Sequence, residues 1–68
     1  MNITYHKESD LLYILLDPTA SEVICQAPAE GIVVELGEND RIVGIEILDA
    51  SKRVDLATLP SLSYAEVV

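Results

Sequence analysis

Gly31-Ile32-Val33-Val34-Glu35-Leu36-Gly37-Glu38-Asn39-Asp40-Arg41-Ile42-Val43-Gly44-Ile45-Glu46-Ile47-Leu48-Asp49 is the stretch that decides the fold. β-Branched runs on either side of Glu38-Asn39-Asp40-Arg41 are the pattern of a β-hairpin. Asn and Asp both tolerate positive φ, so Asn39-Asp40 suits a two-residue type I′ turn. That turn sets Glu38 opposite Arg41. Leu36 then faces Val43, Val34 faces Ile45 and Ile32 faces Ile47 on one side of the ribbon. The other side pairs Gly37 with Ile42, Glu35 with Gly44 and Val33 with Glu46. A slip of one residue would turn Glu35 and Glu46 onto the buried face, so the pattern specifies its own register.

The hairpin sits in a chain of 68 residues, enough for one domain. A chain this short buries only about 60% of its unfolded surface and needs support from a metal, disulfides or oligomerisation. Cys25 is the single cysteine, which excludes an internal disulfide, and no Cys/His cluster suggests structural zinc. Oligomerisation is the support left open. Twelve acidic against four basic residues give a net charge of −8. Such a chain repels the phosphates of nucleic acid and of anionic membranes, and suits a basic protein partner. The opening Met1-Asn2-Ile3-Thr4-Tyr5-His6 lacks a basic n-region and an apolar h-region. With the lone thiol, this makes the cytoplasm the expected compartment.

Working outward from the hairpin, Ile3-Thr4-Tyr5 alternates as a first strand, and His6–Asp10 is polar and reads as a turn. Leu11–Leu16 is apolar on both faces, the pattern of a strand in the middle of a sheet with both faces covered. Asp17-Pro18 ends it. Glu22–Gln26 reads as a further strand, and Ala27–Gly31 as a connection punctuated by Pro28 and Gly31. Beyond Leu48, Asp49 is positioned to cap about two turns of helix over Ala50–Ala57, with Ala50, Val54 and Leu56 or Ala57 inward. Lys52 and Arg53 oppose its dipole, so the helix depends on packing. Pro60 marks its end. Residues 1–57 thus form the domain and 58–68 a tail, in which Tyr64–Val68 either docks on a sheet edge as a strand or is disordered.

Two stretches carry a family resemblance: Ile3-Thr4-Tyr5-His6-Lys7-Glu8-Ser9-Asp10-Leu11-Leu12-Tyr13-Ile14, and Arg41 through Arg53 with Val43-Gly44-Ile45-Glu46-Ile47-Leu48-Asp49-Ala50-Ser51 at its centre. Together they resemble the short bacterial and archaeal proteins catalogued as domain of unknown function 2283. The resemblance covers residues 1 to 54, and Gly44–Ser51 is its specific part. Leu11 stands where the family often has Ala, Asp40 where its hairpin often has Gly, and the tail after Leu56 is an extension. The resemblance implies a small, mainly antiparallel β domain and brings no catalytic residue or cofactor. The placing of some members beside small toxin-like proteins implies a partner-binding role.

A few residues carry candidate chemistry. His6, Glu8 and Asp10 alternate and could hold a divalent metal from an extended strand, but in a turn alternation gives no shared face. Glu35 and Glu46 flank Gly44 and mark the wetter face of the hairpin. Cys25 has no activating neighbour and reads as a buried small hydrophobe. Gly31 suits a loop-to-strand turn, and Gly44 a bulge or close approach. Val33, Ile42 and Leu48 share the second face with the two glutamates, and one short helix cannot cover both faces. They are the candidate interface.

The expected fold is α+β, mainly β: a four- to five-stranded antiparallel sheet built on hairpins, with one short C-terminal helix. The expected function is a non-catalytic cytoplasmic interaction module without cofactor, either a homodimer or the partner of a small basic, toxin-like protein. The alternative is a small-ligand or divalent-metal binder using His6, Glu8 and Asp10.

Overall fold

Alternation in residues 32–36 and 42–48 does close into neighbouring antiparallel strands. The computed structural model describes residues 2–20, 22–58 and 65–67. Its strands are β1 (Asn2–His6), β2 (Leu11–Leu15), β3 (Ile24–Ala29), β4 (Ile32–Leu36), β5 (Ile42–Leu48) and β6 (Ala65–Val67). They form one six-stranded sheet in the order β3-β4-β5-β2-β1-β6. The first five pair antiparallel, and β6 lies parallel to β1. The fold is therefore mainly β, as expected, with β2 in the interior of the sheet.

The hairpin register holds for Ile32↔Ile47, Val33↔Glu46, Val34↔Ile45 and Glu35↔Gly44. Asn39 and Asp40 both take positive φ, at 56° and 57°, and Arg41 N–H donates to the Glu38 carbonyl at 3.2 Å. The pairing between turn and strand needs correction. Leu36 stands opposite Ile42 rather than Val43, and Gly37 N–H donates to Arg41 O. The extra residue is absorbed as a β-bulge. Val43 is buried there, and its carbonyl accepts from both Leu16 N–H (2.7 Å) and Asp17 N–H (3.0 Å), just beyond β2. Bonding to these two amides holds the bulge open, a long-range contact that the turn residues do not report.

Two other elements depart from expectation. β3 starts at Ile24 and runs through Pro28 to Ala29, where the sequence predicts a connection. Pro28 is tolerated because β3 is an outer strand with a register irregularity between Gln26 and Ala29. Gly31, at φ 78°, then makes the tight turn into β4. The expected two-turn helix is replaced by a 3₁₀ turn, Ala50–Lys52. Asp49 takes φ 53° and its side chain caps nothing. Two cations at the wrong end of the dipole oppose a longer helix, and the turn does not propagate. One i→i−4 bond, Val54 N–H to Ala50 O at 2.9 Å, ends it, and Asp55 caps the next turn through Ala57 N–H at 3.0 Å. The inward residues are still as expected. Ala50, Ile3, Tyr5 and Leu12 form the buried core, with Ile14, Ile47, Val54 and Leu56 against it.

Of the tail, Ala65–Val67 docks on β1 with Thr4↔Ala65, Tyr5↔Glu66 and His6↔Val67. Pro60 as a helix end, and the segment 61–64, lie outside the described residues. No helix among the described residues is long and apolar enough to cross a membrane.

Candidate functional site

All of the packed core lies on one face of the sheet; the opposite face carries the unusual chemistry. Strand pairing sets two rows across that opposite face. One runs Cys25–Glu35–Gly44–Leu15, the other Val33–Glu46–Tyr13–Thr4. Cross-strand neighbours on one side of a sheet lie about 4.5–5.5 Å apart, so these side chains form a continuous surface. Leu11, Tyr13, Leu15, Val33, Glu35 and Glu46 are half-buried, and Leu48 is exposed.

Gly44 organises this surface. Lacking a side chain, it lets Tyr13 reach over β5 from β2 and donate its phenolic hydrogen to Glu35 Oε1 on β4 at 2.6 Å. A Cβ on Gly44 would lie 2.5 Å from Tyr13 Oη and 2.6 Å from Glu35 Oε1. The close approach read from the sequence is thus made by a side chain of the neighbouring strand. The Glu35 hydrogen bond, then burial and the nearby carboxylates, push the Tyr13 hydroxyl up to about 12 from its ordinary value of 10.0. Removing the partner should reverse this: in Glu35→Gln, absorbance titration should show Tyr13 ionising back toward 10, and an unmoved titration would contradict the bond. A raised value also has a stability sign. The contribution is fully present below the unfolded value near 10.0 and is lost as pH rises through about 12.

A second constellation locks the fold together. Asp10, at φ 54°, ends the β1–β2 turn. Its carboxylate accepts from Tyr5 Oη at 2.7 Å, Ser51 N–H at 2.9 Å and Ser51 Oγ at 2.6 Å. Its carbonyl accepts Ala50 N–H at 3.0 Å. Asp10 therefore caps the turn for which the sequence offers Asp49. The Ser51 hydroxyl, then Tyr5, hold its carboxyl below the usual value of 3.8. At the other end of the sheet Asp17 accepts from Thr19 and from Arg41 Nε at 3.0 Å, and it too is held low, chiefly by Thr19.

The residues singled out from sequence are placed as follows. Val33 and Leu48 lie on the open face, beside Glu46 and opposite Leu11 respectively. The bulge moves Ile42 out of their row and sets it opposite Leu36, which pairs in turn with Ile24 of β3. His6 pairs with Leu11, while Asp10 is committed to Tyr5 and Ser51. Among the described residues no three His, Cys, Asp or Glu side chains gather as metal ligands. Cys25 is exposed rather than buried, as is every residue of the outer strand β3. Sequence reading missed Tyr5–Asp10–Ser51 and Tyr13–Glu35. The gap at Gly44 was a signal for the latter, but the strand that fills it depends on sheet order.

The chain is thus a small, mainly antiparallel β domain with a hydrogen-bonded Tyr–Glu bridge over a glycine and a turn tied down by an aspartate. The chain belongs to the family described as "Protein of unknown function (DUF2283)", which it matches over residues 2–51. It is also similar, at 49% identity over 39 residues, to a protein of Methanosarcina mazei named "Putative hypoxanthine phosphoribosyltransferase". That match covers 54% of this chain and 32% of the Methanosarcina protein, so the chain spans about a third of that relative. No solved structure matches the chain.

Proposed function

We propose that the chain is a non-catalytic cytoplasmic interaction module that docks a small basic protein on the open face of its sheet. The observation that carries this reading is the face itself. Leu11, Leu15, Val33 and Leu48 surround Tyr13, Glu35 and Glu46, and the strand residues of the core cluster all lie on the other face. An apolar surface with carboxylates in its middle favours an occupant that brings both apolar side chains and cations. A second copy fits it poorly, since the same face would bring two more carboxylates and no cation from its rows. Twelve acidic residues against four basic ones leave charge unanswered within the chain. The sheet, in a molecule 34 × 25 × 18 Å across, offers a face close to the ~800 Å² per partner of an ordinary interface.

Affinity purification of the tagged chain from its native host, followed by mass spectrometry, tests this. One stoichiometric basic protein should co-elute with the wild type and be lost with Val33→Lys or Leu48→Lys. Recovery of the chain with no basic partner, or a partner indifferent to both substitutions, would overturn it.

A further inference from the structure

The outer edge at β3 is a second surface, separate from the open face. All six residues of Ile24-Cys25-Gln26-Ala27-Pro28-Ala29 are exposed, and none is charged, in a chain of net charge −8. Among the described residues only β4 pairs with this strand. A free edge offers unpaired N–H and C=O groups, and proteins that stay monomeric guard it with charges, prolines or bulges. Here Pro28 and the irregularity between Gln26 and Ala29 guard only the second half. Ile24–Gln26 pairs regularly with Leu36, Glu35 and Val34 and is left unguarded.

An apolar row starts at the same place. Ile24, Leu36 and Ile42 stand opposite one another across three strands, with Ile24 67% and Ile42 48% exposed. Val23, Ile24 and Leu36 line a groove of about 380 Å³ whose rim carries Glu22 and Glu38. At the far end of β3 the Arg53 guanidinium donates to the Glu30 carbonyl.

We infer that a second copy of this chain pairs antiparallel along β3, joining two sheets into one through Ile24–Gln26. Charge selects the orientation. An antiparallel copy keeps the Glu22 and Glu38 ends of the two protomers apart, whereas a parallel copy stacks these acidic ends together. Side-chain alternation selects the register. A two-fold axis normal to the sheet keeps each residue on its own face, so it must pass between two equivalent residues. Centred on the unguarded stretch, it pairs Cys25 with Cys25 and Ile24 with Gln26, and brings the two Ile24 side chains together diagonally. Glu35 lies one strand from the paired cysteines and Glu46 two strands from them, so neither meets its equivalent across the seam. A short edge contact falls below the ~1,200 Å² of stable complexes, so the dimer is reversible.

Light scattering across a concentration series, on the full chain and on Ile24→Lys and Leu48→Lys, tests the inference. A short bis-maleimide, which adds one thiol to each of its two double bonds, reports on Cys25 independently. The wild-type mass should double with concentration, and cross-linking should trap the dimer through Cys25. Ile24→Lys should stay at half that mass with an unchanged circular dichroism spectrum, while Leu48→Lys should dimerise normally. Three results would overturn the pairing: a monomer at every concentration, an Ile24→Lys chain that still dimerises, or a dimer broken by Leu48→Lys and not cross-linked at Cys25. Partner capture reads the open face alone, so either surface can fail without the other.

Discussion

Substituting Asp10 by alanine should lower the unfolding midpoint more than truncating any other carboxylate of the described residues. One carboxylate accepts from the Tyr5 hydroxyl, the Ser51 amide and the Ser51 hydroxyl, and its residue holds a left-handed backbone. Alanine removes all three hydrogen bonds and strains the turn, since alanine adopts positive φ at a cost that Asp and Asn largely avoid. Asp10→Asn separates the two effects, keeping the backbone tolerance and losing the charge. Thermal melts should rank wild type above Asn above Ala, and equal midpoints would show that the turn holds without this carboxylate. The pH dependence follows from the same bonds. Asp10 and Asp17 are both held below the usual 3.8. A carboxyl depressed in the folded state adds stability above its unfolded value, and that stability is lost as pH falls through the folded one. The wild type should therefore weaken below about pH 4, and the Asn variant should show a shallower loss.

Gly44→Val should be the second large effect. Its Cβ would stand 2.9 Å from Tyr13 Cζ as well as within reach of the hydroxyl and of Glu35, and valine branches there. The Tyr13–Glu35 bond would break and the ring would leave its place over β5. Loss of a hydrogen bond to a carboxylate together with overpacking costs roughly 1–3 kcal/mol. That is a large part of the ~3–5 kcal/mol that a single core of this size supplies. Chemical denaturation would measure it. In a Tyr13→Leu background the penalty should shrink, because the clash with the phenol and the Tyr13–Glu35 bond are then gone and the Glu35 side chain is free to move; an undiminished penalty would place the strain in the backbone instead.

Much of the architecture was readable one segment at a time. Asn39-Asp40 takes the positive φ angles that its chemistry allows, and four hairpin pairs follow the alternation of Ile32–Glu35 against Gly44–Ile47. These features depend on residues adjacent in sequence or joined by a tight turn. The helix expectation failed for a related reason. Asp49 has the right chemistry for a cap, but a competing carboxylate on the β1–β2 turn reaches Ser51 first. The open-face residues Val33 and Leu48 were likewise legible from period-two alternation, whereas Ile42 was not, because the bulge beside it is held by the amides of Leu16 and Asp17.

Local pattern alone thus settled the strand period, most of the hairpin register, the acidic charge and the family. Long-range contact settled the rest: that β2 borders β5 and so delivers Tyr13 to the gap at Gly44, that Asp10 rather than Asp49 caps the Ala50–Lys52 turn, and that β3 is left at an edge. The division has a physical cause. Alternation and turn chemistry are written in neighbouring residues, while sheet order depends on which distant strands bury the most apolar surface together, and no single segment encodes that comparison.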